Sequence, residues 1–498
     1  MTSGALGALA ERALKWSAFT TAARFVLQFG AQVALARLLG PENFGVYGIG
    51  LAVLTFVDFL SGASFSYNLM LQSSVSDEDV RFSFTWQLIT GVLAGVAMFA
   101  AAPAIAQFFA DARVEGMVQL LSVASVLTAA AAPATYLLQR DLNFRALGLI
   151  QLATYAAGYL LVGVPMALQG FGAWSLGAAC VVQAAVALVL TYRAKPHPLK
   201  PLLRHAGGGE TLSTGRAVFL TNVVNWLLGN VDRVIIGRVL NAHAVGIFTV
   251  AYNLASIPNI VLVGALQPAL VATGAKLQDD RARLAQGWVL AIACVLVLAL
   301  PAATVMAMLA RDLVTVLYGS AWSESAWVLA VLFLCLPGWA AWGLSTPVLW
   351  NTGRRQYEYL LQLPVLALAV PAWWIVAPAG VRAIALVSAV VILARAIVIV
   401  AAALRALDLR WAALVPYALR GFALAALCAA AVFAGQQAAA PLSSALAALL
   451  IGAAGAALTM LAIILFKPDA LGREAQTTLS RLLPALGARL TPREGTAT

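Results

Sequence analysis

A row of polar side chains within an apolar stretch of membrane length most constrains what this chain can fold into. The stretch from Leu14 to Tyr47 is mostly apolar, and about 20 residues of helix cross a bilayer core. Thr20, Arg24, Gln28 and Gln32 recur at every fourth position, so they share one face of that helix. An arginine that faces lipid near mid-membrane costs about 2.5 kcal/mol or more. We therefore expect this row to face protein or a water-filled cavity.

The same stretch returns about 200 residues later in the chain. Residues 37–47 align without gaps with residues 238–248, and the alignment extends upstream to place Gln32 on Arg233 and Arg24 on Asn225. Both copies predict a helix with a polar row, a short turn (Leu39-Gly40-Pro41 in the first copy) and a second helix. This pattern is typical of a duplicated transporter with its site between the two halves. Chance similarity over so short a repeat is the alternative.

The composition indicates a membrane protein that crosses the bilayer many times. Of 498 residues, 62% are hydrophobic and 10% are charged, whereas soluble domains carry about 25% charged residues. We predict about fourteen spans and an all-α polytopic fold. The net charge of +11 reflects basic loops on one side rather than nucleic-acid binding, so both termini are predicted to be cytoplasmic in a bacterial inner membrane.

The longest loop predicts the division of the chain. It runs from Arg193 to Gly215 and is rich in proline and glycine, and it precedes the second copy of the repeat. The predicted parts are an N-terminal lobe of six spans (1–192), a cytoplasmic linker (193–215), a C-terminal lobe of six spans (216–404), two further spans (405–466) and a basic cytoplasmic tail (467–498).

Polar residues within predicted spans are the candidates for function, because they are expensive to place in a membrane. The candidate cavity residues that would bind substrate are Arg24, Gln28, Gln32, Asn222, Asn225, Arg233 and Asn253. The candidates for proton or cation coupling are Asp58 and Asp232. The alternatives are a structural ion pair between Arg24 and Asp58 or Asp232, and helix packing for Asp58. Arg395 and Arg420 lie in later spans, where snorkelling or local pairing is the favoured interpretation.

Basic residues in two loops occupy similar places in the two halves. We expect them to meet an anionic headgroup at the cytoplasmic mouth, with a role in setting topology as the alternative. These residues are Arg140, Arg145, Arg354 and Arg355. Trp226 and Trp339 could stack on sugar, although core packing is the favoured role.

The sequence lacks the motifs of the common enzyme classes. It has no Walker A motif, no Gly-x-Ser-x-Gly and no HExxH. Its four cysteines lie in apolar runs without paired spacing, so no metal or cofactor is expected. The large non-cytoplasmic loop typical of polymerases, ligases and glycosyltransferases of lipid-linked sugars is also absent from the predicted topology.

Three stretches resemble a known family of transporters. They are ALARLLGPENFGVYGIGLAVLTFVDFLSGASFS (34–66), LLQRDLNFRALGLIQLA (137–153) and NVDRVIIGRVLNAHAVGIFTVAYNLASIP (230–258). They are similar to Wzx-type polysaccharide exporters of the colanic-acid and exopolysaccharide branch, within the superfamily of multidrug, oligosaccharidyl-lipid and polysaccharide exporters. Asn241 and Ala242 stand where this family often has glycine, which affects only the expected turn.

The resemblance implies a flippase for undecaprenyl-pyrophosphate-linked oligosaccharide repeat units. It implies a MATE- and MurJ-like fold, with two pseudo-symmetric six-helix lobes in a V around a cationic cavity and two C-terminal helices outside. Arg24 and Arg233 would hold the diphosphate during alternating access. A polysaccharide polymerase and export machinery are possible partners. A cation-coupled multidrug exporter of the same superfamily, or a polymerase or ligase of lipid-linked sugars, is the alternative function.

Overall fold

The fold is built from helices throughout the part of the chain that this computed structural model describes. The described residues are 3–61, 65–66, 69, 74–205, 226–227, 229–277, 280–354, 357–472 and 476. They contain no strand. Contacts divide the chain into two compact units, Met1–Gly246 (unit 1) and Ile247–Thr498 (unit 2). The predicted linker lies partly outside the described residues, so the boundaries of the predicted lobes stay a prediction.

Unit 1 consists of long helices joined by short turns. They are α1 (Ser3–Ser61), α2 (Asp77–Phe109), α3 (Arg113–Arg140), α4 (Phe144–Leu168), α5 (Trp174–Ala194) and α6 (226–239, with 228 outside the described residues). Helix α7 (Ala242–Lys276) begins in unit 1 and continues in unit 2. Helix α3 packs along α1, α2 and α5.

The turn at Gly40 divides α1 into two helices, as the sequence predicts. Gly40 has φ 71° and ψ 173°, a conformation that glycine adopts without steric cost. Pro41 follows at the start of the next helix, where its missing N–H is not needed. The aligned position in the second copy is Asn241, whose side chain accepts a hydrogen bond from the Ala244 N–H at 2.9 Å. The second helix therefore follows a glycine with positive φ in the first copy, whereas in the second copy it begins with a hydrogen bond to an asparagine side chain.

The two copies of the repeat pack against each other through a reciprocal pair of glycines. A methyl group added to Gly45 would overlap the backbone carbonyl of Ala242. A methyl group added to Gly246 would overlap the carbonyl of Pro41. The repeat alignment pairs Gly45 with Gly246 and Pro41 with Ala242, so each contact is the symmetric counterpart of the other. This symmetry supports a duplication over chance similarity.

The described residues contain eleven helices that are long and apolar enough to cross a membrane. The number is twelve if the bent pair Ser325–Leu334 and Leu336–Asn351 forms one span. This count treats Ala22–Asp58 as one helix although it breaks at Gly40. Residues 216–225 and 228 of the predicted span at 216–240 lie outside the described residues. The chain is a multi-pass membrane protein, and the number of fourteen spans stays a prediction.

The first part of the predicted linker packs onto unit 1. We call residues 195–205 the docked segment. Arg81 donates from Nε to the carbonyl of Lys200 at 3.0 Å, and Trp86 donates from Nε1 to the carbonyl of Leu203 at 3.2 Å. His205 Nε2 lies 2.9 Å from Asp79 Oδ1. Three side chains near the start of α2 therefore fix this segment.

The beginning of the docked segment is held by an ion pair and by aromatic packing. Lys195 Nζ lies 2.6 Å from Asp141 Oδ2. The His197 ring lies 5.2 Å from the Phe84 ring and 5.3 Å from the Tyr192 ring, measured between centroids. Burial lowers the pKa of His197, which favours the neutral imidazole between these rings.

Unit 2 is a second helical bundle. After α7 it contains α8 (Arg281–Met308), α9 (Ala310–Tyr318), α10 (Ser325–Leu334), α11 (Leu336–Asn351), α12 (Gln362–Val376), α13 (Val381–Ala406), α14 (Val415–Ala439) and α15 (Ala445–Phe466). Trp288, Leu344 and Leu404 lie in its main core. The last two helices pack on each other, and α14 also packs on α8.

Replacing Gly45 or Gly246 by alanine tests the contact between the repeats. Either methyl group would push two backbones apart, at a cost of about 1–3 kcal/mol. We expect a lower thermal unfolding temperature for both variants in detergent. Gly287→Ala is the matched control, because a methyl group there meets nothing within 4 Å. Unchanged unfolding temperatures for Gly45→Ala and Gly246→Ala would contradict the reciprocal contact.

Limited trypsin digestion tests whether the docked segment is fixed. In Arg81→Ala, cleavage after the exposed Arg204 should be roughly fivefold faster, because the segment loses two of its hydrogen bonds. Arg283→Ala removes an exposed arginine from unit 2 and serves as the control. Equal cleavage rates in Arg81→Ala and wild type would mean that Arg81 does not hold the segment.

Candidate functional site

The polar row of α1 faces α4. Gly148 lies against Thr20, so closely that a methyl group there would overlap the threonine side chain. One turn further, Arg24 Nη1 donates to Gln151 Oε1 at 2.6 Å. At the next turn, the Tyr155 hydroxyl donates to the backbone carbonyl of Gln28 at 3.4 Å. The expectation that this row faces protein is therefore met over three successive turns.

Arg24 is held by an amide rather than by a carboxylate. Among the described residues, the hydrogen-bond partner that the structure gives to Arg24 is Gln151. The alternative ion pairs with Asp58 and Asp232 are not among its contacts there. Arg24 is half-buried and Gln151 is exposed, so part of the pair lies at the surface of unit 1. Because the amide is neutral, Gln151 does not cancel the positive charge of Arg24.

Three tyrosines continue the polar contacts beyond Gln151. The rings of Tyr155 and Tyr159 are stacked with centroids 4.5 Å apart. The Tyr159 hydroxyl lies 2.9 Å from the hydroxyl of Tyr47, on the second helix of α1. Tyr159 lies in a π-helical segment, Ala156–Gly163, and such segments are frequent at functional sites. These contacts join α4 to both parts of α1.

The two candidate coupling carboxylates each accept a hydrogen bond within unit 1. The Ser125 hydroxyl donates to Asp58 Oδ1 at 2.7 Å, which links α1 to α3. Asp232 is buried and its Oδ1 accepts from the backbone N–H of Arg233 at 2.8 Å. Nothing in these contacts tests ion coupling, so this role stays a prediction.

Arg233 turns back along its own helix. Its Nη1 donates to Asn230 Oδ1 at 3.1 Å, and the side chain is half-buried. Trp226, on the same helix, donates from Nε1 to Thr55 Oγ1 at 3.1 Å and packs on the Phe56 ring at 4.7 Å between centroids. Trp226 therefore has a packing role, which was the favoured interpretation from the sequence.

The remaining candidates are only partly described. Asn222, Asn225 and Arg355 lie outside the described residues. Gln32 is half-buried on α1, and Asn253 is half-buried on α7 in unit 2. At the predicted cytoplasmic mouth, Arg140 donates to the carbonyl of Leu69 at 3.0 Å, Arg145 is exposed and Arg354 is half-buried. Their roles stay predictions.

Arg395 in unit 2 is more deeply buried than the sequence suggests. Its side chain is 9% exposed, and Nε and Nη2 both donate to Gln362 Oε1, at 3.0 and 2.8 Å. The guanidinium lies over the Trp342 ring, 4.3 Å from the centroid, in a cation–π contact. Local pairing, the favoured sequence interpretation, describes this residue. Arg420 on α14 is exposed.

Sequence reasoning missed the α4 side of the site. Gln151, Tyr155 and Tyr159 recur at every fourth position of the apolar stretch that forms α4. This is the same spacing that identified the polar row of α1. Applied to every apolar span, that test would have found the three residues, although not which helix they face.

Comparison with known proteins gives one family and several relatives. The model of a family described as "Polysaccharide biosynthesis protein" matches residues 34–327. The succinoglycan biosynthesis transport protein ExoT of Rhizobium meliloti is 29% identical over 65% of this chain and 65% of its own length. The lipopolysaccharide biosynthesis protein WzxC of Escherichia coli is 23% identical over 65% of this chain and 66% of its own. The match spans less than two thirds of either relative's length.

Two solved structures are similar in fold. The lipid II flippase MurJ in an inward closed conformation has a TM-score of 0.68, with 89% of this chain and 97% of that chain covered. An inward-facing multidrug resistance MATE family transporter has a TM-score of 0.63, with 77% and 94% covered. Both are 14% identical to this chain, so the likeness is one of fold. It confirms the predicted MATE- and MurJ-like helical class.

Substitution of Arg395 tests whether it has a structural role. Arg395→Ala leaves Gln362 Oε1 and the Trp342 face without the guanidinium, and we expect a loss of roughly 2 kcal/mol of stability. The measurement is the thermal unfolding temperature in detergent. The exposed Arg420→Ala is the control and should change it little. If both variants unfold at the wild-type temperature, the contacts of Arg395 do not stabilise unit 2.

Proposed function

Because this chain belongs to the polysaccharide biosynthesis protein family, we propose that it is a flippase for lipid-linked oligosaccharides. Its substrate would be an undecaprenyl-pyrophosphate-linked repeat unit, moved from the cytoplasmic to the periplasmic leaflet for exopolysaccharide export. One observation carries the proposal: Arg24 is a half-buried arginine on a membrane helix, and its guanidinium is held by the neutral amide of Gln151.

The chemistry of the substrate explains why such a residue is needed. A diphosphate bearing sugars would lose its hydration in hydrocarbon, at a large cost in free energy. Guanidinium suits the diphosphate because it stays charged and can donate two parallel hydrogen bonds to phosphate oxygens. The prenyl tail would stay in lipid while Arg24 binds the diphosphate. Gln28 and Gln32 continue the polar face of α1 beyond it.

The relatives support transport rather than an enzymatic reaction. ExoT is named as a transport protein of succinoglycan biosynthesis, and WzxC as a lipopolysaccharide biosynthesis protein. We propose for this chain an inner-membrane location with cytoplasmic termini, as its basic loops favour. In the proposed mechanism the Arg24 site is exposed alternately to the two sides of the membrane. Asp58 or Asp232 would carry a coupling ion.

The leaflet location of labelled lipid-linked oligosaccharide tests the function in cells. A deletion strain should hold the substrate on the cytoplasmic face, and wild-type protein should release it. Arg24→Ala should lower the release roughly tenfold or more, because the diphosphate loses a charged, bidentate partner. Arg24→Lys should restore part of the release, because it keeps the charge but not the planar donors.

Arg311→Ala controls for loss of a positive charge elsewhere, because this exposed arginine lies on α9 in unit 2. It should transport like wild type at equal expression. Substrate that reaches the periplasmic face in the deletion strain would show that flipping is not the task of this protein. Wild-type release by Arg24→Ala would remove Arg24 from the mechanism.

A further inference from the structure

The contact between Arg24 and Gln151 has a geometry that fixes the arginine without neutralising it. Helices α1 and α4 approach closely where Gly148 meets Thr20, one turn before the pair. They are joined again one turn after it, where Tyr155 donates to the carbonyl of Gln28. The backbone positions of Arg24 and Gln151 are therefore set on both sides. The 2.6 Å hydrogen bond between them then restricts the orientation of the guanidinium.

The residue type at position 151 decides how much charge Arg24 presents to a ligand. A glutamate of the same length could accept the same hydrogen bond, but it would cancel the positive charge of Arg24 locally. The amide accepts through Oε1 and carries no net charge. A guanidinium has several N–H donors in a fixed plane, and Gln151 accepts from Nη1. Because the guanidinium is planar, fixing the direction of Nη1 also fixes the directions of its other N–H groups.

We propose that Gln151 is a positioning residue, which orients the Arg24 guanidinium for the diphosphate of the lipid carrier and preserves its charge. This inference rests on the proposed function, because it assumes that Arg24 meets a diphosphate. The proposal includes no contact between Gln151 and the transported lipid-linked oligosaccharide. It predicts that Gln151 acts on diphosphate binding through Arg24 alone.

Binding of a defined probe to the purified full-length protein tests this role. The probe is geranylgeranyl diphosphate, titrated into protein in nanodiscs at low and at moderate salt. Gln151→Glu should weaken its binding about tenfold, because the introduced carboxylate competes with the diphosphate for Arg24. It should also flatten the salt dependence of the dissociation constant, since the net charge at the site falls. Gln151→Leu should weaken binding less, by about threefold, and keep the salt dependence.

The dependence on Arg24 separates positioning from a general structural effect. In the Arg24→Ala background, Gln151→Glu and Gln151→Leu should have no further effect on the dissociation constant, because coupled residues are not additive. Gln107→Glu places the same new charge at an exposed glutamine of α2, and it should bind the probe like wild type. Glutamate has nearly the same size as glutamine, so the unfolding temperature of Gln151→Glu should match that of wild type.

Two different failures can be told apart. If Arg24→Ala weakens binding but neither Gln151 variant does, or if their effects persist in the Arg24→Ala background, the positioning role is overturned and the proposed function stands. If wild type does not bind the diphosphate at all, the proposed function fails and this inference fails with it.

Discussion

A polar helix face within hydrocarbon must contact protein or water, and the arrangement of unit 1 follows from this requirement. Helix α1 meets it by placing Thr20, Arg24 and Gln28 against α4. The glycine at 148 lets the two helices approach, as small residues do at membrane helix interfaces. Polar side chains then satisfy one another at the following turns. The residues proposed for function are therefore also residues that position the helices that carry them.

The duplication of the chain has a physical consequence at the contact between its two copies. Residues at equivalent positions meet reciprocally, Gly45 with the carbonyl of Ala242 and Gly246 with that of Pro41. Neither contact tolerates a side chain, so both copies need glycine at the same place. Elsewhere the copies have diverged: Gly40 breaks α1 with a positive φ, whereas Asn241 begins the next helix with its side chain. At Gly45 and Gly246, by contrast, the close approach requires glycine in both copies.

The periodicity of the sequence predicts which residues of α1 are special, but not what they contact. Spacing alone places Arg24 and Gln28 on one face, and turn residues alone place the break at Gly40. The partner of that face is a matter of tertiary packing, and the spacing of the sequence fits a carboxylate partner for Arg24 as well as it fits the amide of Gln151. Arg395 illustrates the same limit. Its neighbours Gln362 and Trp342 are distant in sequence, so its burial could not be inferred from the span that contains it.

The central claim is that this chain moves a diphosphate-linked lipid by way of Arg24, and transport by purified protein tests it most directly. The protein would be reconstituted into vesicles that contain a labelled undecaprenyl-diphosphate oligosaccharide in both leaflets. A glycosidase added outside then removes label only from the outer leaflet. We predict that wild type makes the inner pool accessible, whereas Arg24→Ala leaves it protected as in protein-free vesicles. Equal protection with wild type and without protein, or equal transport by Arg24→Ala, would contradict the account.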